Sequence, residues 1–123
     1  AIDNVSGWLS SAEVARLMST ANVLVLPSLS EGQPMAILEA MASGLCVVAS
    51  DVGGIGEMLG DSGGVLIRPG DETALTEALS LVVRDSEARS RIGAAAFDRV
   101  VTEFNIDLIA DRFDQLYRRL EGR

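Results

Sequence analysis

Apolar positions in this chain follow two rhythms. Val23-Leu24-Val25-Leu26, the segment from Leu45 to Ala49, and the segment from Gly64 to Ile67 are short unbroken runs. Runs of this length suit strands covered on both faces, as in a parallel sheet. Elsewhere apolar residues recur at helical spacing. Val14, Leu17 and Met18 form one such stripe, and Ile37, Leu38, Met41 and Ala42 a second. Leu75, Leu79 and Val82 form a third, and Phe113, Leu116, Tyr117 and Leu120 a fourth.

Local punctuation sets the boundaries. Ser10 to Glu13 (S-S-A-E) is a capping box that opens the first helix. Asn22 ends that helix, and Pro27 ends the strand that follows. Pro34 suits the first position of the next helix, and Ser43-Gly44 stops it. Asp51-Val52-Gly53-Gly54 turns the chain into a short helix at about Ile55 to Leu59. Arg68-Pro69-Gly70 closes the last strand, and Asp71 caps a helix that runs to about Arg84. Further helices are expected from Ser86 to Phe104 and from Ile106 to Leu120, and a short strand at Ile2 to Ser6. Strands alternating with helices predict an α/β fold: a partial doubly wound, Rossmann-like parallel sheet with helices on both faces, over about 1–84. The two C-terminal helices, over about 86–120, have no strand after them and must dock on a face or on a missing partner.

Composition narrows the function. The 123 residues are one domain's worth, and 48% are apolar, so the chain can bury a core. The net charge is −8, and all ten basic residues are arginine. No basic stripe exists for nucleic acid, and aromatics, at 4%, are too few to stack bases. Arg84, Arg89, Arg91, Arg99, Arg112, Arg118 and Arg119 stand among acids and are expected on solvated helix faces. Arg16 is likewise expected at the surface. The single cysteine, Cys46, excludes an internal disulfide and is expected as a small buried hydrophobe. No apolar run approaches the ~20 residues of a membrane span. No leader opens the chain, so a cytoplasmic location is expected.

The candidate chemistry gathers around Glu31 and Glu39. Ligands of open α/β sheets bind beyond the carboxyl ends of strands, and the loop from Pro27 to Gln33 lies at such an end. The helix after it offers free N–H groups at Met35 and Ala36, which bind phosphate without lysine. Gly32 permits close backbone approach. Glu39 is five residues into the helix, so the two carboxylates are offset and each can accept hydrogen bonds from a vicinal diol. Gly54-Ile55-Gly56 with Gly60 approximates a dinucleotide fingerprint, but the helix after it is barely two turns long. These are expected to be turn glycines, with Glu57 an early-helix acid.

In this setting the chain resembles the GT4-like retaining glycosyltransferases of the GT-B fold. The matching residues run from Val5-Ser6-Gly7 through Ala21 to Ser28, Glu31-Gly32-Gln33-Pro34, Leu38 to Ala42 and Gly44. They continue through Val47 to Ser50, Gly53-Gly54, Glu57, Gly64 to Ile67 and Pro69-Gly70-Asp71. The resemblance implies a nucleotide-diphosphate sugar as substrate, a hexose transferred with retention, and no bound metal or other cofactor. It places Glu31 as the catalytic carboxylate beside the donor sugar. Gly32, Gln33, Met35 and Ala36 would touch sugar and diphosphate, Glu39 the ribose, and Trp8, Leu9 and Ser10 the base. The family commonly has proline where Cys46 stands and again near Gly56, and an aromatic where Ile106 stands.

A GT-B enzyme has two Rossmann-like domains, and the family's basic Arg/Lys pair on the diphosphate comes from strands that this chain does not contain. Residues 1–123 therefore correspond to an incomplete C-terminal domain, inactive without the N-terminal acceptor domain of its parent. The other functional class is an interaction module that keeps the fold without turnover. In a 3-2-1-4-5-6 sheet the chain would supply strand 3 and strands 4 to 6. The Val23 strand would then have an open edge. That edge would be covered by a second copy, as a homodimer, or by the Val5 strand.

Overall fold

The computed structural model of the chain describes residues 11–27, 35–104 and 111. Among them the order is α1 (Ser11–Thr20), β1 (Val23–Leu26), α2 (Met35–Ala42), β2 (Cys46–Ser50), α3 (Ile55–Leu59), β3 (Val65–Ile67), α4 (Glu72–Arg84) and α5 (Ser86–Glu103). The three strands form one parallel sheet in the order β1-β2-β3. Val23 pairs with Cys46 and Leu26 with Ala49, while Val48 pairs with Val65 and Ser50 with Ile67. The α/β expectation therefore holds, with strand limits shifted by one residue.

The central strand explains why its sequence is an apolar run. Every residue of β2 is buried. Alternate side chains point to opposite faces, so Val47 and Ala49 join a core with Ile37, Met41, Ile55, Leu59, Ala96 and Val100. Cys46 and Val48 join a second core with Ile67, Ala78 and Val82. Helices α2 and α3 cover the first face and α4 the second. Burial pushes the Cys46 thiol above its ordinary range, partly offset by the Arg89 guanidinium. Its inert, packed environment matches the sequence expectation.

Two details of the helical stripes differ. Leu17 is half exposed, whereas Met18 packs on the first core. Among the described residues, α1 precedes a strand with one neighbour, so a narrow strip of the helix meets apolar surface. On α2, Ala40 is fully buried and Ala42 only half-buried. The cause is α5, which packs along α2 and adds a second buried side to that helix.

Helix α5 answers where the first of the C-terminal helices docks. It packs on α2, β2 and α4. A Cβ built at Gly93 would meet the carbonyl oxygen of Gly44, which sits just before β2. Helix α5 thus crosses beneath the amino ends of the strands at backbone contact. Arg99, on the same helix, donates from Nε to the Met58 carbonyl at 2.7 Å and from Nη2 to the Glu57 carbonyl at 2.6 Å. These carbonyls close α3, where the last turn lacks amide partners. Arg99 also pairs with Glu103 at 3.0 Å. Gly60 fits this arrangement, because its φ is +64° and a Cβ there would lie 2.7 Å from the guanidinium carbon. Arg89 does the same for α4, donating from Nη1 to the Val82 carbonyl at 2.8 Å. The expectation of solvated faces holds for the exposed Arg84 and Arg91 and is corrected for Arg89 and Arg99, which close helix ends. Arg112, Arg118 and Arg119 lie outside the described residues, as do the Ile2–Ser6 strand and most of the segment 106–120.

Candidate functional site at the carboxyl ends of the strands

Helix α2 begins beyond the carboxyl end of β1. Its first residue, Met35, is half-buried against the core, which anchors the first turn, while Ala36 is exposed. Amides in a first turn have no intrahelical partner, so Met35 and Ala36 offer N–H groups at this edge of the sheet. Glu39 follows four residues after Met35, about 6 Å along the axis. It is half-buried between the buried Leu38 and Ala40. Its carbonyl accepts from Ser43 Oγ at 2.9 Å, which helps to end the helix. Trp8, Leu9, Ser10, Glu31, Gly32 and Gln33 lie outside the described residues. The structure thus brings together Met35, Ala36 and Glu39 of the expected set, on the face of the sheet that α2 covers.

The opposite face at the same edge holds a feature that the motif does not include. A cleft of about 230 Å³ is lined by Pro27, Ser50, Ile67, Asp71, Glu72 and Leu75. It opens where α4 starts. Asp71 caps that helix as expected, accepting from the Ala74 amide at 2.9 Å. Ser50 is fully buried, and its Oγ has no hydrogen-bond partner. The sequence did hold a signal for it: Ser50 continues the Cys46-Val48 alternation, so a hydroxyl falls on a face that is otherwise apolar. Among the described residues, no cluster of metal-ligating side chains occurs and no helix is long and apolar enough to cross a membrane.

Residues 4–99 match the family model described as glycosyl transferases group 1. The alpha-maltose-1-phosphate synthase of Mycolicibacterium smegmatis is 34% identical over 96% of this chain and 32% of that protein. Sucrose-phosphate synthase from Thermosynechococcus elongatus superposes with a TM-score of 0.77 at 35% identity, covering 95% of this chain and 30% of that one. The C-terminal domain of a glycosyl transferase group 1 family protein from Francisella tularensis superposes with a TM-score of 0.75 at 28% identity, covering 83% of this chain and 53% of that one. The chain spans about a third of the length of the curated relatives it matches.

Proposed function

The chain belongs to the glycosyl transferases group 1 family, with its GT-B fold, and from that premise we propose that it forms the donor-binding wall of a retaining hexosyltransferase. The observation that carries this is the seating of α2: its first turn, Met35 and the exposed Ala36, follows the end of β1, with Glu39 one turn further along. The amides of Met35 and Ala36 meet the diphosphate, where helix-end dipoles favour negative charge. Glu39 accepts hydrogen bonds from both ribose hydroxyls. Glu31 stands beside the donor sugar, where its carboxylate stabilises positive charge that develops as the glycosidic bond breaks. Gly32 and Gln33 line the sugar and diphosphate, and Trp8, Leu9 and Ser10 flank the base. Two of the relatives named above are synthases of sugar phosphates by name, which supports transfer between sugars as the class of reaction.

The chain has no lysine and no histidine. The Arg/Lys pair on the diphosphate then comes from strands of the same domain outside residues 1–123, the acceptor site comes from the N-terminal domain, and turnover requires both. For the chain alone, this shortage of cations supports the second reading, a folded module without turnover.

Calorimetric titration with UDP-, GDP- and ADP-sugars tests the assignment. One of the three gives weak, saturable binding that Glu39→Ala abolishes, with the unfolding midpoint unchanged. Binding that survives Glu39→Ala, or no binding of any of the three, overturns the role given to Glu39.

A further inference from the structure

One side of α5 is buried, where Gly93, Ala96 and Val100 pack on the domain. The outward side carries Glu87, Ser90, Ala94, Phe97 and Val101, and each of them is exposed. These positions are spaced by three, four, three and four residues, the repeat of a coiled-coil seam. Phe97 is 41% exposed and Val101 49%, so the seam leaves two large apolar side chains in water. Ala94, at its centre, is small enough for a second helix to come close. From Glu87 to Val101 the seam runs about 21 Å along the axis.

The charges beside the seam decide what fits it. Arg91 and Asp98 lie on one flank, seven residues apart, and both are exposed. Among the described residues, neither side chain has a hydrogen-bond or ion-pair partner. When two copies of α5 pair antiparallel about a two-fold axis, every contact occurs twice and this flank faces its own counterpart. Ala94 then meets Phe97 of the second copy, and Ser90 meets Val101. Arg91 of each copy stands beside Asp98 of the other, which gives two pairs of opposite charge. A parallel pair would set Glu87 against Glu87 and leave Arg91 facing the flank that is buried in the domain. The seam is therefore complementary to itself in the antiparallel sense.

We propose that α5 is a self-association surface, through which two copies of this chain form a reversible antiparallel dimer. One helix against another falls below the ~1,200 Å² that marks stable complexes, so dimer and monomer exchange. The pairing uses none of the residues assigned to the donor, so its outcome stands apart from the nucleotide-sugar titration.

Sedimentation equilibrium at up to about 1 mM protein, where contacts of millimolar affinity register, is expected to show monomer and dimer in equilibrium. Arg91→Asp and Asp98→Arg each bring like charges together at both contacts, and each weakens self-association at least about tenfold. Mixing the two variants restores association, because the mixed pair has opposite charges at both contacts. Both positions are exposed, so the circular dichroism of each variant matches that of the parent. Phe97→Ser also weakens the dimer. A monomer at every concentration, as expected if residues 105–123 cover the seam instead, overturns the proposal. So does a dimer unchanged by Arg91→Asp, which assigns association to another surface such as the β1 edge. Two variants that remain monomeric when mixed overturn it as well.

Discussion

The two ends of the sheet are built for opposite purposes. At the amino ends, α5 lies against backbone at Gly93 and Gly44, buries Ala96 and Val100, and locks the end of α3 with Arg99. Among the described residues, no buried side-chain polar atom there lacks a partner. At the carboxyl ends, α2 presents its first-turn amides, α4 starts over a cleft, and Ser50 keeps a buried hydroxyl without a partner. The closely packed edge and the edge proposed to hold the donor are thus different edges of one small domain. An edge packed to backbone contact cannot receive a ligand.

Substitutions should separate the two edges. The largest effect is expected at Gly93→Ala. Its methyl would overlap the Gly44 carbonyl, and relief requires α5 to shift from its seat, at a cost of about 2–3 kcal/mol. Urea unfolding measures this, and a midpoint equal to that of the parent would mean that α5 is not held by this contact. Next comes Arg99→Ala, which strips the Glu57 and Met58 carbonyls of their partner and costs about 1–2 kcal/mol. Its side chain is 26% exposed, so water replaces part of the loss. The same substitution should leave nucleotide-sugar titrations as they were. The smallest effect is expected at the carboxyl edge. Ser50→Ala alters a residue with no exposed surface, yet it removes an unpaired hydroxyl. Stability should be unchanged or rise by up to about 1 kcal/mol. A loss as large as that of Gly93→Ala would erase the contrast between the edges.

Most of the fold was legible in the sequence because its signals were local. Unbroken runs marked the strands, Asp71 marked the start of α4, and Pro27 and Gly44 marked stops. What was not legible depended on contacts between distant segments. Arg99 looked like one more solvated arginine, because the carbonyls it closes lie some forty positions earlier in the chain. Ala40 lay outside the helical stripe, and it is buried because α5 supplies a second buried side to α2. The site divides in the same way. Met35, Ala36 and Glu39 follow from strand-loop-helix order and from the family resemblance. The Ser50 cleft needs β2, β3 and α4 assembled before its lining residues become neighbours.

The strand order has one more consequence. Each strand pairs with the next one in the chain, so during synthesis β1 can hold β2, and β2 can hold β3, as each emerges. Helix α5 is made after all three strands, and it adds Ala96 and Val100 to the buried surface under α2 and β2. A nascent chain that ends before Val100 would therefore hold a paired sheet with one apolar flank still bare, a substrate for chaperones, not a finished domain.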